Sequence, residues 1–280
     1  MKSRVLLVDA DISIFQATTV TERPVNWGDG LWTLHCFEDE AIRVFEDGHA
    51  KLMETLDADH AIYCLTDSVN WRKGILPTYK ANRANVRKPM LLPFMQQYLL
   101  DNYDTYLRPS LEGDDVMGIL STHPTIVKAD QKIIVSLDKD MKTIPGWVYN
   151  PGKDLKPRLI TEDEADYWHM LQALMGDATD GYAGCPGTGP KGAETVLADP
   201  RRFVEETYEV TRGKDKGQTK TRWIDDGPAE SLWEAVVCHY AKAGLTEEDA
   251  LVQARVARIL RASDYNLKTK EVIPWKPLKK

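Results

Sequence analysis

Nine carboxylates recur at spaced positions along the chain: Asp9, Asp67, Glu112, Asp114, Asp115, Asp138, Asp140, Asp177 and Asp180. Several close short apolar runs. RVLLVD, AIYCLTD and KIIVSLD each read as a buried strand ending in an acid, and parallel strands would bring those acids to one rim. Like charges gathered in one cleft raise one another's pKa values or force the site open unless cations intervene. Hard oxygen donors select Mg²⁺ or Mn²⁺. Two such ions about 4 Å apart suit in-line displacement at phosphorus, one lowering the pKa of the attacking water and the other stabilising the leaving oxygen. The acids therefore imply metal-dependent phosphoryl transfer.

Local spacing refines this. In LEGDDVMGIL, Glu112, Asp114 and Asp115 stand at the entry to an apolar helix. A helix dipole rewards one or two acids there, but the mutual repulsion of three in four residues exceeds that gain unless a cation is present. In SLDKD, Asp138 and Asp140 are two apart and would face the same way in an extended segment. In GDATD, Asp177 and Asp180 are three apart and would share a face if helical. Asp9 in LLVDAD sits where a strand enters a crevice or where an acid caps a helix.

Cations form a second pattern. PTYKANRANVRK sets Tyr79 beside Lys80, Arg83, Arg87 and Lys88 at helical spacing, suiting a phosphodiester backbone with a stacked base, and Arg72 and Lys73 extend the cluster. PGTGPKGAETVL resembles a helix-hairpin-helix turn, with Gly187 and Gly189 admitting a phosphate to backbone N–H groups, followed by Lys191, and Ala193, Val196 and Leu197 packing the next helix. A further basic group comprises Arg212, Lys214, Lys216, Lys220 and Arg222. The net charge of −7 argues against a polyanionic partner only until the acids are filled with divalent ions, which leaves the rest near neutral.

The elements that must hold these residues alternate through the first 150 positions. Apolar runs at Val5–Asp9, His60–Asp67, Tyr103–Arg108, Lys132–Asp138 and Trp147–Tyr149 alternate with helical patterns at Glu38–Leu56, Met90–Asp101 and from Gly113. Such alternation predicts a doubly wound, mostly parallel α/β sheet. Beyond Glu162 strand-like runs give way to helices, with Leu232–Ala243 and Thr246–Arg261 closing the chain and 213–221 an exposed basic loop. The expected division is residues 1–160 and 161–280. At 42% apolar and 28% charged, 280 residues can bury a sizeable core. Cys36, Cys64, Cys185 and Cys238 lack metal or disulfide spacing, and no segment reads as a membrane span or signal peptide, so the cytoplasm is the expected compartment.

Taken together, TDSVNWRK, YKANR, LEGDDVMG, SLDKDMKTIP and GDATDGY resemble the flap endonuclease and 5′-3′ exonuclease superfamily, and within it the exonucleases of T7-like bacteriophages. The resemblance covers nearly the whole chain. It implies a PIN-like nuclease core, a gateway near 71–98 and a helix-hairpin-helix region gripping duplex DNA. By the same resemblance Asp9, Asp67, Glu112, Asp114 and Asp115 hold one ion, and Asp138, Asp140, Asp177 and Asp180 a second. Lys80 and Arg83 match gateway bases that hold and activate the scissile phosphate. The loop Gly184–Gly189 matches a phosphate-binding turn that often takes K⁺. The gateway between Tyr79 and Tyr98 is short and carries Pro89 and Pro93, unlike the longer arches that thread a flap.

The expected activity is 5′-3′ exonucleolytic removal of nucleotides from duplex DNA and from RNA primers in RNA–DNA hybrids. Flap cleavage is secondary. The setting is phage replication and host-DNA breakdown in an infected bacterium, by a monomer that meets phage replication proteins. Two other readings compete. A haloacid-dehalogenase-type phosphatase would use Asp9 of the D-x-D as a nucleophile but gives no reason for LEGDD or the cation clusters. An idle DNA-binding scaffold would have no use for the acids.

Overall fold

Alternate residues of Arg4–Asp9 (β1) point to opposite sides of a strand, and both sets are apolar: Leu6 and Val8 on one side, Val5 and Leu7 on the other. Such a strand must be covered twice. The computed structural model, which describes residues 3–277, does so with helices on both faces of a sheet. Residues 1–2 and 278–280, the outermost of the two expected domains, lie outside the described residues.

The chain forms two compact units. The first comprises residues up to Trp71, Arg83–Ala165 and Ile259–Ile273. After β1 come α1 (Ala10–Thr21), β2 (Arg23–Asn26), β3 (Trp32–His35), α2 (Glu38–Leu56), β4 (His60–Leu65), α3 (Leu92–Asn102), β5 (Thr105–Leu107), α4 (Gly113–Thr122), β6 (Gln131–Val135), β7 (Gly146–Tyr149) and β8 (Arg158–Ile160). The sheet runs β5-β4-β1-β6-β7-β8, parallel except for β8. From β1 the chain winds outward through β4 and β5, then returns to β6 on the other side. The carboxyl ends of β1 and β6 thus flank a topological switch point, where open α/β sheets bind ligands.

One face of the sheet packs Leu6, Val8, Tyr63 and Leu65 against Ile14 of α1, Phe45 of α2, and Met95 and Leu99 of α3. The other packs Val5, Leu7, Ile62 and Ile134 against Val116 and Leu120 of α4 and against Ile259, Leu260 and Tyr265. Gly118 is where α4 meets that returning segment: a Cβ there would stand 2.3 Å from the Leu260 carbonyl oxygen.

The second unit comprises Arg72–Asn82, Asp166–Arg258 and the chain from Pro274. It holds α5 (Glu162–Met175) from Asp166 on, then α6 (Pro190–Ala198), β9 (Arg201–Glu209), β10 (Thr219–Pro228), α7 (Leu232–Lys242) and α8 (Glu247–Ala257). Met170, Leu171, Leu174, Leu197, Val236 and Tyr240 form its core, and the Tyr240 hydroxyl donates to the Ala173 carbonyl at 2.6 Å. Thr246 and Asp249 close the expected capping box of α8.

Three expectations need correcting. The division at 160/161 treats the halves as sequential, whereas the segments 72–82 and 259–273 each pack with the other part of the chain. The reason for the first exchange is Arg72, whose guanidinium donates to the carbonyls of Val256 and Arg258 at 2.9 and 2.7 Å. Those bonds terminate α8 short of the expected Arg261. The region after 162 is not free of strands: β9 and β10 pair as an antiparallel ribbon, and of the loop expected at 213–221 only 213–218 lies in its tip, 219–221 being paired in β10. Finally, 80–88 is not a helix; Ala81–Arg83 is one 3₁₀ turn and 84–89 carries no regular structure.

Candidate active site

In the first unit the strand ends position the acids. Asp9 closes β1 and caps α1, its Oδ1 accepting the Ile12 N–H at 3.2 Å and its Oδ2 the Ser136 hydroxyl, just past β6, at 2.8 Å. Burial pushes its carboxyl up to about 7, with the fields of Asp11 and Asp138 adding to the rise against the opposing hydrogen bonds. Asp11 is raised as well, by burial first and by Glu112 next, while Lys88 opposes. These mutual effects place Asp138, Asp9, Asp11 and Glu112 within electrostatic reach of one another.

The first turn of α4 supplies the densest group. One oxygen each from Glu112, Asp114 and Asp115 lie within 4.8 Å of one another. Glu112 and Asp115 make a capping box, as acids at a helix N-terminus do. Asp115 is 0% exposed, and its carboxylate accepts the Trp71 indole N–H at 2.9 Å and the Leu260 N–H at 3.1 Å. Those bonds fix its orientation. Asp67 follows β4; its carboxylate accepts the Ser110 and Ser68 N–H groups at 2.7 and 2.8 Å, which hold it below the usual carboxylate range. Asp138 does not run on in extended chain toward Asp140 but caps a 3₁₀ turn over Lys139–Thr143, accepting the Asp140 N–H at 2.9 Å.

Asp11 is the residue that sequence reasoning missed. Its Oδ2 accepts the Thr66 N–H at 2.9 Å, and the Thr66 hydroxyl oxygen accepts the Gly113 N–H at 2.9 Å. Asp11 thus ties the end of β4 to the start of α4, the turn that bears Glu112 and Asp114. Gly113 is required there, since a Cβ would stand 2.7 Å from the Cys64 carbonyl oxygen. The signal was present in LLVDAD, two residues after Asp9.

In the second unit Asp177 and Asp180 are not on a helix. They lie in a turn closed by a bridge between Asp177 and Tyr182, with Asp177 accepting the Thr179 N–H at 2.8 Å. Lys80 pairs with Asp180 at 3.6 Å, and the Lys80 N–H donates to the Asp180 carbonyl at 2.8 Å. Lys80 adopts φ +52°, a left-handed conformation that non-glycine residues hold only when their surroundings impose it.

The cations expected on DNA divide in two. Arg72 and Tyr79, 1% and 2% exposed, belong to the interior: Arg72 caps α8 and lies over the Tyr79 ring, whose hydroxyl donates to Asp180 at 3.2 Å. Buried as it is, Tyr79 offers no face for a base. Lys73, Arg83, Arg87 and Lys88 are exposed, but Arg87 is held by Glu22 at 2.6 and 3.0 Å, a partner the helical reading did not supply. Its guanidinium keeps Glu22 below the usual carboxylate range.

The glycine-rich turn is also mixed. Gly184 N–H donates to Gln253, and a Cβ on Gly184 would stand 2.3 Å from the Gly176 nitrogen, so this glycine serves a backbone crossing rather than a phosphate. Gly187, at φ +75° with nothing near its missing Cβ, and Gly189, the N-cap of α6, are exposed beside Lys191. Ala193 and Leu197 are buried in the core beneath.

The donor set fits a hard divalent cation. Every candidate ligand is a carboxylate oxygen, and Asp9 and Asp11 are half-buried, with their carboxyls raised by desolvation, so that their ionisation is costly without an adjacent positive charge.

Comparison with known proteins agrees with this geometry. Residues 4–147 match the family model described as "5'-3' exonuclease, N-terminal resolvase-like domain". An exonuclease of Escherichia phage T7 is 39% identical, with 98% of this chain and 93% of that protein covered. An exodeoxyribonuclease of Enterobacteria phage T3 is 38% identical with the same coverage. Solved structures of the bacteriophage T5 enzyme share the fold: a zinc-bound form has a TM-score of 0.57 at 15% identity, covering 91% of this chain and 89% of that one. A complex of the T5 flap endonuclease with DNA and metal ions gives 0.58 at 13% identity, with the same coverage.

Proposed function

Because the chain belongs to the 5′-3′ exonuclease family, we propose that its acids hold two Mg²⁺ or Mn²⁺ ions and that it removes nucleotides from the 5′ ends of duplex DNA and of the RNA strand in RNA–DNA hybrids. The reaction is metal-dependent 5′-3′ exonucleolytic hydrolysis of phosphodiesters. The observation that carries the reading is the gathering of Asp9, Asp11, Glu112, Asp114, Asp115 and Asp138 around the carboxyl ends of β1, β4 and β6.

By the resemblance to the family, Asp9, Asp67, Glu112, Asp114 and Asp115 are assigned to one ion and Asp138, Asp140, Asp177 and Asp180 to the other. When bound, the ions supply Lewis acidity to the phosphate and lower the pKa of the attacking water. The protein's own part is positioning. Trp71 and Leu260 orient Asp115, Ser136 orients Asp9, and Asp11 holds α4 through Thr66. Lys80 and Arg83 neutralise charge developing on the phosphate. Gly187, Gly189, Lys191 and the first turn of α6 hold a phosphate of one strand, with K⁺ as a companion ion at the turn. Lys73 and Lys88 add to the attraction for the backbone.

Family membership does not favour the phosphatase and idle-scaffold readings, and on this reading the short gateway leaves flap cleavage secondary. The natural setting assigned is an infected bacterial cytoplasm, where a monomer acts beside phage replication proteins; among the described residues no helix is long and apolar enough to cross a membrane.

The test is a product-length assay on 5′-labelled duplex, nicked and flapped substrates with and without EDTA. Short 5′ products from the duplex, abolished by EDTA and restored by Mg²⁺, are expected. Internal cleavage of duplex, or release of inorganic phosphate alone, would overturn the proposal.

A further inference from the structure

The ribbon β9–β10 carries more charge organisation than its fold requires. From Val210 to Arg222 five cations (Arg212, Lys214, Lys216, Lys220, Arg222) accompany one acid, Asp215, a net +4 in a chain of −7. Toward the base, 201–209 and 223–228 carry Arg201 and Arg202 against Glu205, Glu206, Glu209, Asp225 and Asp226, a net −3. Both base cations are taken by cross-strand pairs, Arg201 with Asp225 at 2.9 Å and Arg202 with Asp226. It is anchored on α7, where Lys242 lies 3.7 Å from the centre of the Phe203 ring.

At the tip the pairing runs out. Asp215 is taken by Lys220 and Arg222 is taken by Glu206, while Arg212, Lys214 and Lys216 are exposed and have no carboxylate partner among the described residues. The tip is nonetheless built. The Val210 N–H donates to the Gln218 carbonyl across it, the Gly217 N–H donates back to the Val210 carbonyl, the Gln218 N–H donates to the Asp215 carbonyl, and Gly213 and Gly217 take φ of +85° and +86° in open space. Along one face of the ribbon Tyr208 stacks under the Arg222 guanidinium at 5.0 Å, interleaving an aromatic ring with the cations.

We propose that this ribbon is a duplex-gripping arm whose tip, Arg212, Lys214 and Lys216, binds nucleic-acid phosphates. Nine or ten extended residues give an arm about 30 Å long, and a major groove about 12 Å wide admits a two-stranded ribbon. Separation of charge, with an acidic base and a cationic tip, suits a polyanion held at the tip, away from the anchor. The assignment rests on the reading that the substrate is a duplex. It adds a contact that contributes affinity without touching the hydrolytic groups.

The test compares the full chain with R212A/K214A/K216A for binding to a labelled duplex of about 30 base pairs in EDTA, across about 50 to 200 mM KCl. Each lost phosphate contact removes about 0.9 from the slope of log affinity against log salt, so the triple variant should lose about 2 to 3 in slope. R212K/K214R/K216R should retain the wild-type slope, and saturating turnover on duplex with Mg²⁺ should be unchanged for both. A triple variant whose slope matches wild type overturns the arm and leaves these cations to an acidic protein partner, while the nuclease reading stands. Wild-type protein that fails to degrade duplex with Mg²⁺ overturns the underlying reading instead.

Discussion

Burial holds the Asp9 carboxyl near 7 in the metal-free protein, well above its value in an unfolded chain. Its contribution to stability is therefore present below about pH 4 and is lost as pH rises through about 7, where the desolvated carboxyl must ionise without a counter-charge. A divalent ion supplies that charge. The rise in Tm on adding Mg²⁺ should accordingly be small at pH 5.5 and large at pH 8, read by thermal unfolding with matched EDTA controls; an increment independent of pH would contradict the assignment of Asp9. Asp11→Asn should weaken activation by Mg²⁺ about 10- to 100-fold, as loss of a group behind metal ligands does, while leaving turnover at saturating metal nearly intact. Equal loss at all Mg²⁺ concentrations would instead mark a defect in folding. The grouping of Glu112, Asp114 and Asp115 was legible from type and spacing alone, but Asp11 was not, because its role depends on Thr66 and Gly113, more than fifty residues away in sequence and adjacent only once β4 and α4 are packed.

Elements that follow a local pattern were legible: α2 spans Glu38–Leu56 as its periodicity predicts, and β1, β4, β6 and β7 fall on the apolar runs. Elements held by long-range partners were not. Neither β9 nor β10 is an apolar run, since both faces of the ribbon meet solvent and cross-strand ion pairs replace a core, and the basic stretch at 80–88 lacks an apolar face to make it a helix. Close backbone crossings were equally hidden. Gly118→Ala drives a methyl group into the Leu260 carbonyl, and Gly184→Ala does the same at Gly176 while also straining a φ of +67°. Each should destabilise the protein by about 1 to 3 kcal/mol in urea unfolding. Gly187→Ala, at φ +75° but in open space, should cost about 1 kcal/mol from backbone strain alone. Similar losses at all three would remove the distinction drawn between glycines at backbone crossings and a glycine in open space.

At the scale of the whole molecule, the first unit draws its wall from two distant stretches of chain. Ile259, Leu260 and Tyr265 cover the α4 face of the sheet, the Thr122 hydroxyl oxygen accepts the Ala262 N–H at 2.8 Å, and Arg261 donates to the Thr143 carbonyl at 3.0 Å. A chain ending at Ala165 should therefore expose that face, bind a hydrophobic dye and show no nuclease activity with Mg²⁺, although it contains seven of the nine acids. A soluble, active fragment would refute this. The same arrangement bears on how the protein is made. Ribosomes deliver Trp71, Glu112, Asp114 and Asp115 long before Leu260, so Asp115 lacks one of its two orienting donors while well over a hundred further residues are being added. A nascent chain that stops short of Leu260 should therefore show no nuclease activity with Mg²⁺.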